Sequence, residues 1–247
     1  MEIKNKIALI TGGTHGIGAA TAVLLAKQGA DVCLAARNID NVPIKQTIEN
    51  LGVRCLLVNA DMSREEDCQH AVAETVAGLG GLDILVHSAG AAAPGSLILG
   101  EKETWYHAFD VHIHAAYHLC KAAAPHMRAR KEGAIILISS AAGLRGIKNA
   151  IAYAAVKGAI PQLTRALAFE LSDDNIRVNC VAPGVIRTRF QDYLTSEQVK
   201  NNLDNRIPLH REGTPEDVAE AISMLIQNNF ITGENVVIDG GMTMRIA

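Results

Sequence analysis

Two neighbouring stretches of the sequence carry side chains that could act together on a proton. Ser140 follows the apolar run Ala134–Ile138, and Tyr153 and Lys157 stand four residues apart in the alanine-rich segment that comes next. Residues at this spacing share one face of a helix, so the phenol and the ammonium group can meet. A phenol titrates near pH ~10, and a nearby ammonium favours its phenolate form. We therefore expect Tyr153 to exchange a proton with a carbonyl or alcohol oxygen, to which the neutral hydroxyl of Ser140 donates a hydrogen bond.

Each of these patterns also occurs as an ordinary helical pair or strand end, so the elements that position them carry the argument. The apolar run Lys6–Ile10 leads into the segment Thr11–Gly18, and a helical pattern follows up to Gln28. A strand, a glycine loop and a helix in this order place backbone amides and a helix N-terminus where they can hold a pyrophosphate. The spacing is Gly-x-x-x-Gly-x-Gly rather than the usual Gly-x-Gly-x-x-Gly. We expect dinucleotide contacts from the loop residues Gly12, Thr14, His15, Gly16, Ile17 and Gly18.

The end of the second predicted strand, Asp31–Ala36, indicates which dinucleotide this loop would hold. Sites that bind a free ribose 2'-hydroxyl usually place an acid here, whereas an arginine can pair with a 2'-phosphate. This chain has Arg37, which favours NADP(H), with NAD(H) as the other possibility. His15 is a candidate second donor to the same phosphate. The alternatives are that Arg37 is a solvated surface charge and that His15 is an exposed loop residue without a role.

Further strand ends bring small or polar residues to the same edge of the predicted sheet. Asp61 and Met62 follow the third strand, Val53–Asn59. Asp61 could accept a hydrogen bond from an adenine amino group or cap the next helix, and both can hold. The fourth and sixth strands, Asp83–Val86 and Ile176–Ala182, each lead into a short segment of small residues. From these segments we expect cofactor contacts by Ser88, Gly90, Pro183, Gly184, Ile186 and Thr188.

The order of the elements predicts one α/β domain over residues 1–247. Strand patterns alternate with helical ones, which indicates a Rossmann-type doubly wound parallel sheet of about seven strands with helices on both faces. In such a sheet the site lies at the carboxyl ends of the strands, where the glycine loop and Ser140 both fall. One long helix is expected from Thr104 to about Arg130, and Thr214 is expected to begin a capped helix. The irregular stretch 189–211 is the predicted substrate lid, because it interrupts the alternation.

Composition and charge narrow the class of protein. Of the 247 residues 49% are hydrophobic and 20% are charged, and the formal net charge is -3, which suggests neither a nucleic-acid surface nor an acidic tail. No apolar run approaches ~20 residues and the first residues are polar, so we expect no membrane partner and a cytoplasmic location. The five cysteines are scattered without a Cys-x-x-Cys pair, and the nine histidines bring no His-Glu-x-x-His pattern. We therefore expect reduced thiols and no metal.

These motifs resemble those of the short-chain dehydrogenase/reductase family over essentially the whole chain. The residues that carry the resemblance are Thr11, Gly12, Gly16, Ile17, Gly18, Asp61, Ser88, Ala89, Gly90, Ser140, Tyr153, Lys157, Pro183, Gly184, Thr188, Thr232, Gly233, Asp239, Gly240 and Gly241. The resemblance implies that Tyr153 is the general acid or base and that Ser140 orients the substrate oxygen. It implies that Lys157 tunes the tyrosine and holds the nicotinamide ribose, so that Tyr153 and Lys157 also count as cofactor contacts. It further implies contacts of Thr188 and the Ile186 backbone with the carboxamide, and a homotetramer built partly on two long helices.

The sequence departs from the family pattern at two histidines. The family usually has Asn-Asn-Ala-Gly where this chain has His87, Ser88, Ala89 and Gly90, and it usually has an asparagine in the long helix where this chain has His112. That asparagine helps the family to hold a water molecule in a proton relay behind the lysine. Our hypothesis is that His112 takes over this position, since an imidazole can pass protons near pH ~7. The alternative is a histidine that only packs.

Together the motifs and the resemblance predict an NADP(H)-dependent oxidoreductase that transfers a hydride between nicotinamide and a ketone or secondary alcohol. Within the family the chain looks most like the 3-oxoacyl carrier-protein reductases and the sugar or polyol dehydrogenases. The alternatives are an NAD(H)-dependent sugar, polyol or hydroxysteroid-type dehydrogenase, and a non-catalytic dinucleotide sensor. The intact set of Ser140, Tyr153 and Lys157 argues against the sensor, which has no need of a tuned phenol.

Overall fold

A parallel sheet of seven strands forms the centre of the computed structural model, which describes residues 1–40, 42–191 and 194–244. The strands are β1 (Ile7–Thr11), β2 (Asp31–Ala36), β3 (Cys55–Asn59), β4 (Ile84–His87), β5 (Gly133–Ile138), β6 (Ile176–Pro183) and β7 (Asn235–Ile238). Their order across the sheet is β3-β2-β1-β4-β5-β6-β7, and every neighbouring pair is parallel. The chain runs outward from β1 in one direction and then from β4 in the other, so the predicted doubly wound sheet is confirmed.

Within the described ranges eight α-helices connect these strands. They are α1 (Gly16–Lys27), α2 (Pro43–Glu49), α3 (Glu65–Leu79), α4 (Lys102–Phe109), α5 (Ala115–Arg130), α6 (Ile151–Glu170), α7 (Ser196–Asn201) and α8 (Pro215–Gln227). In the part of the chain that the structure describes, none of them is both long and apolar enough to pass through a bilayer.

The sheet is buried on both faces, which explains why its strands are almost continuously apolar. Successive side chains of a strand point to opposite faces. Leu9 and Ile135 accordingly pack into one core with α3, α5 and α6, whereas Ile10 and Ile136 pack into a second core with α1 and α8. Two covered faces leave only the edges and the strand ends open. In a parallel sheet covered in this way, ligands typically bind at the carboxyl ends of the strands.

The long helix predicted from Thr104 to Arg130 begins two residues earlier, at Lys102, and is not uniform. Between α4 and α5 lies a π-helical stretch, Asp110–His114, which we call the π segment. It buries Val111 and His112 against the end of the sheet. A π-helical turn adds a residue to the regular repeat and turns its side chains toward a new direction. The predicted long helix is therefore present, but it includes a π-helical turn that the sequence did not indicate, because tertiary contacts rather than local propensity decide such a turn.

The predicted lid, 189–211, is more regular than its sequence indicates. Its described part holds a 3₁₀ turn (Arg189–Gln191), α7 and a π-helical turn (Asn202–Arg206), whereas positions 192–193 lie outside the described residues. The segment leaves and rejoins the sheet at a single point. There the backbone N–H groups of Arg187 and Gly213 donate, each over 2.9 Å, to the carbonyl oxygens of Gly213 and Val185. The two ends of the lid are therefore fixed to each other.

Candidate active site

The carboxyl ends of the strands open onto a cavity of about 560 Å³. Most of the predicted site residues line this cavity, and they come from the glycine loop, the ends of β2 to β6, the π segment and α6. They are Gly12, Thr14, His15, Gly16, Ile17, Arg37, Asp61, Met62, Ser88, Gly90, His112, Ser140, Tyr153, Lys157, Pro183, Gly184, Ile186 and Thr188. Gly18 alone of the predicted set is not in the wall. A Cβ at Gly18 would lie 2.3 Å from the carbonyl oxygen of Gly12, so this glycine permits packing inside the loop.

The glycine loop has the backbone shape of an anion cradle. Gly12 and Gly16 have φ angles of +65° and +54°, which other residues rarely adopt. A Cβ at Gly12 would lie 2.9 Å from the backbone nitrogen of Ala89, and one at Gly16 would lie 3.2 Å from the side chain of Thr188. The loop ends at the N-terminus of α1, whose first turn contains no acidic residue. These features fit the pyrophosphate of a dinucleotide, because free N–H groups and the helix dipole both favour an anion there.

Charged and polar side chains gather at the β2 and β3 end of the cavity. Arg37, His15 and Asp61 all lie in its wall, and the hydroxyl of Thr14 lies 2.9 Å from Nδ1 of His15. Burial raises the pKa of the Asp61 carboxyl, but hydrogen bonds from Ser63 and the charge of Arg37 outweigh this effect and hold the pKa below its usual value. One carboxylate oxygen of Asp61 thus holds the turn before α3. It does not cap the helix, because the N-cap position of α3, Arg64, has no side-chain capping bond.

A 3₁₀ turn after β5 presents Ser140 to the cavity. The Ser140 hydroxyl oxygen accepts a hydrogen bond of 3.1 Å from the backbone N–H of Ala142, which leaves its own hydrogen free to be donated. The turn is held against α6, because Ser139 donates to the carbonyl oxygen of Lys157 over 2.7 Å. A Cβ at Gly143 would lie 2.5 Å from that same carbonyl carbon and oxygen. Close packing therefore sets the distance between Ser140 and the helix that carries Tyr153.

Tyr153 and Lys157 meet on one face of α6, as their spacing predicts. Nζ of Lys157 lies 5.6 Å from the centre of the Tyr153 ring and donates to the carbonyl oxygen of Ile138 over 2.8 Å. The side chain is buried, and burial lowers the pKa of Lys157 to about 7. An amine that titrates near neutrality beside a phenol can respond to the charge on that phenol.

The structure also brings His112 to Tyr153. The two rings meet edge to face, with centres 5.9 Å apart and planes at 83°. Nε2 of His112 lies 3.1 Å from the carbonyl oxygen of Ala91 and 3.4 Å from its nitrogen, and the shorter contact assigns the hydrogen to Nε2. Burial, together with the charge of Lys157, lowers the pKa of His112 to about 2. The ring is therefore neutral at neutral pH, which disfavours the relay hypothesis in its simplest form, a proton carried as imidazolium.

The cavity wall contains several residues that the sequence did not single out. They are Ala35, Ala36, Asn38, Ala60, Ala91, His107, Val111, Ile138, Ser139, Arg189 and Gln191. Most of these are direct neighbours of predicted residues, and Arg189 and Gln191 belong to the predicted lid. His107 is different, because it reaches the wall one helical turn before Val111. Its place in the histidine-rich stretch 107–118 was the sequence signal that could have found it.

Comparison with known proteins identifies the family. A sequence profile described as "Enoyl-(Acyl carrier protein) reductase" matches residues 12–243. The chain is 36% identical over 250 residues to Dehydrogenase/reductase SDR family member 4 of Sus scrofa, covering 99% of this chain and 89% of that protein. It is 35% identical over 242 residues to the 3-oxoacyl-[acyl-carrier-protein] reductase of Chlamydia muridarum, covering 96% and 97%. The crystal structure of L-sorbose reductase from Gluconobacter frateurii, complexed with NADPH and L-sorbose, superposes with a TM-score of 0.92 at 30% identity and full coverage of both chains (100%).

The fold, the cavity and these relatives define an NAD(P)-dependent oxidoreductase that acts on alcohol or carbonyl groups. The chain belongs to the short-chain dehydrogenase/reductase family, as its motifs predict.

Proposed function

We propose that the protein is an NADP(H)-dependent oxidoreductase with Tyr153 as its general acid or base. It reduces a carbonyl group with NADPH or, in the opposite direction, oxidises an alcohol with NADP⁺. The observation that carries the proposal is the buried Lys157 beside the Tyr153 ring, in the wall of the cavity that also contains the glycine loop. A phenol beside a lysine, in the same cavity as a loop that fits a dinucleotide, can transfer a proton to the substrate oxygen while the nicotinamide exchanges a hydride with the neighbouring carbon. The substrate class is a ketone or a secondary alcohol.

Each polar group of the site has a separate task in this reaction. The nicotinamide, when bound, supplies or removes the hydride. In the direction of reduction Tyr153 donates its proton to the substrate oxygen, on which negative charge develops. The Ser140 hydroxyl donates a hydrogen bond to the same oxygen, because its own oxygen is already engaged by Ala142. The ammonium of Lys157 favours the phenolate that remains.

The preference for NADP(H) is proposed from the charges at the far end of the cavity. Arg37 and His15 lie in the wall next to the glycine loop, where they can bind a ribose 2'-phosphate. Thr14 contacts His15 and can orient its ring. The solved L-sorbose reductase is a complex with NADPH, which supports the same choice.

The proposal also includes a substrate lid, a cytoplasmic location and a homotetrameric assembly. Segment 189–211 is the substrate lid, since Arg189 and Gln191 reach the cavity and its two ends are fixed together. All five cysteines are buried and unpaired, which suits the reducing conditions of the cytoplasm. A homotetramer is proposed from the family resemblance and the exposed apolar side chains of the outer helices.

The decisive experiment is the variant Tyr153→Phe, tested with NADPH against a panel of ketones, aldehydes, keto sugars and 3-oxoacyl thioesters. We expect kcat to fall on the order of 10²- to 10⁴-fold, the range typical of a lost general acid. The NADPH dissociation constant should change by less than about threefold, because the glycine loop is untouched. The matched control is Tyr106→Phe, an exposed tyrosine of α4 that is outside the cavity wall. NADPH binding with no wild-type turnover on any substrate would instead support the dinucleotide sensor.

A further inference from the structure

His87 has no task in the proposed chemistry, yet its imidazole is buried where three elements of the site meet. It ends β4 and is 3% exposed. Its Nδ1 lies 2.8 Å from the hydroxyl of Thr11 at the end of β1, and its Nε2 lies 3.1 Å from the carbonyl oxygen of Val111. The ring therefore joins the strand that enters the glycine loop to the π segment.

The partners of this ring define its tautomer. The carbonyl oxygen of Val111 can only accept, so Nε2 of His87 carries the hydrogen and Nδ1 carries the lone pair. The Thr11 hydroxyl accordingly donates to Nδ1, and its oxygen accepts from the N–H of Ala89 over 3.2 Å. Burial lowers the pKa of His87 to about 4, so the ring is neutral at neutral pH. Both ring nitrogens are satisfied in a single arrangement, which makes the ring a rigid brace.

The π segment that His87 contacts also carries His112. This second imidazole donates from Nε2 to the carbonyl oxygen of Ala91 and meets the Tyr153 ring edge to face. A Cβ at Gly90 would lie 2.6 Å from Cε1 of His112, so the ring fills the space beside this glycine. In such close packing a shift of the π segment must move His112 against Gly90 and Tyr153.

We propose that His87 is a positioning residue of the active site: by donating to the Val111 carbonyl it holds the π segment in place and so fixes His112 against Tyr153. This inference rests on the proposed role of Tyr153. His87 is not itself part of the cavity wall, so it acts only through its neighbours. Its loss should therefore affect the chemical step more than cofactor binding, which the glycine loop provides.

Two substitutions separate the contacts of the ring. The side-chain amide of His87→Asn ends near the position of Nδ1, so it can keep the contact with Thr11 but cannot reach Val111. The longer amide of His87→Gln reaches the position of Nε2 and can donate to Val111 while it gives up Thr11. The matched control is His114→Asn, because His114 lies on the same π segment but is exposed, and its Nδ1 lies 2.9 Å from a carboxylate oxygen of Asp110 on that same segment.

Steady-state kinetics with NADPH give the first readout. We expect His87→Asn to lower kcat about 10-fold. A displacement of about 1 Å in an active site can lower the reaction rate by as much as about 10²-fold, and the shift expected here is smaller. The NADPH dissociation constant should stay within about twofold, and His87→Gln should restore most of kcat. The double variant His87→Asn/His112→Asn should be no slower than His112→Asn, because both changes act through one contact with Tyr153. Equal kcat in wild type and His87→Asn, or effects that multiply in the double variant, would overturn the proposal.

A second readout does not depend on turnover. In nitrogen-15 NMR spectra of the imidazoles, His87→Asn should shift or broaden the ring signals of His112, whereas His87→Gln and His114→Asn should leave them in place. If wild type reduces no substrate but these signals change as expected, the proposed function is refuted and the positioning of His112 by His87 is retained. If wild type shows turnover and the His112 signals do not change in His87→Asn, the positioning role of His87 is refuted and the proposed function is retained.

Discussion

At the scale of single residues, burial keeps His87 and His112 neutral at neutral pH. The pKa values of His87 and His112 are lowered to about 4 and about 2, from an ordinary value of 6.5, chiefly because both rings are buried. In the unfolded chain both rings become protonated near pH ~6.5. The folded state therefore binds fewer protons than the unfolded state below that pH.

This difference predicts a loss of stability on acidification, and the direction follows from proton linkage. Above pH ~6.5 the two rings are neutral in both states and their protonation does not affect the unfolding free energy. Between pH ~6.5 and ~4 the unfolding free energy should fall, with each histidine contributing up to about 1.4 kcal/mol per pH unit. Urea unfolding followed by circular dichroism at several pH values measures this slope. His87→Gln removes one of the two buried imidazoles, so the difference in bound protons between the unfolded and folded states should fall by about one and the slope should become shallower. The exposed His114→Asn should leave the slope unchanged. Equal slopes for the two variants would contradict the prediction.

Arg37 is the residue that tests the cofactor preference. Removing a charged donor to the 2'-phosphate should cost about 1.5–3 kcal/mol of NADPH binding, which is on the order of 10- to 100-fold in KM. NADH has no 2'-phosphate, so its KM should change by less than about twofold in Arg37→Ala. The control is Arg165→Ala, an exposed arginine of α6 that is not in the cavity wall. An equal change of KM for both dinucleotides would show that Arg37 does not select between them.

At the scale of elements, two threonine caps offer a matched comparison. Thr214 begins α8 and Thr195 begins α7, and each forms a reciprocal capping box with the residue three positions later, Asp217 or Gln198. α8 buries five apolar residues and one serine against the sheet and α1. In contrast, α7 buries none of its described residues. The same local motif thus starts one helix of the core and one helix of the lid.

The comparison predicts unequal effects of the same substitution. Thr214→Ala should lower the unfolding free energy by about 1 kcal/mol, the usual value for a lost cap, because α8 unfolds with the core. Thr195→Ala should lower it by less than about 0.5 kcal/mol, because a short exposed helix can open locally without unfolding the protein. Chemical denaturation of the two variants measures both values. An equal loss would indicate that α7 belongs to the same cooperative unit as α8.

The elements also show which parts of the structure were accessible from sequence and why. Strands and α-helices follow apolar periodicity and caps, so the capped start of α8 at Thr214 could be predicted from neighbouring residues alone. The π segment could not, since it depends on contacts such as the bond from His87 to Val111 that join residues 24 positions apart. For the same reason the sequence indicated that His112 matters but not that burial keeps it neutral. Periodicity reports local structure, whereas protonation is set by the fold around a group.

At the scale of the whole molecule, the parallel topology explains why scattered motifs form one site. The glycine loop, Ser140 and Pro183 are far apart in sequence, but each lies at the carboxyl end of a strand, and these ends face the same edge of the sheet. This convergence could be predicted because the alternation of strands and helices leaves few possible topologies. No comparable rule predicts which part of the outer surface contacts another copy of the chain. The expectation of a homotetramer therefore rests on the family resemblance.

The last prediction concerns this outer surface and the expected homotetramer. Large apolar side chains are exposed on the two long helical stretches and near the edge strand β7, with Tyr117 50%, Phe169 87% and Phe230 100% exposed. Apolar side chains and an unpaired strand edge are favourable to bury between copies of a chain. Light scattering should therefore give about four times the chain mass of 26.3 kDa. Tyr117→Glu should yield a smaller species with an unchanged circular dichroism spectrum, because a buried unpaired carboxylate opposes association. Leu51→Glu, at an exposed turn after α2, is the control. A monomeric wild type, or a tetramer that tolerates Tyr117→Glu as well as Leu51→Glu, would place the assembly surface elsewhere or show that none forms.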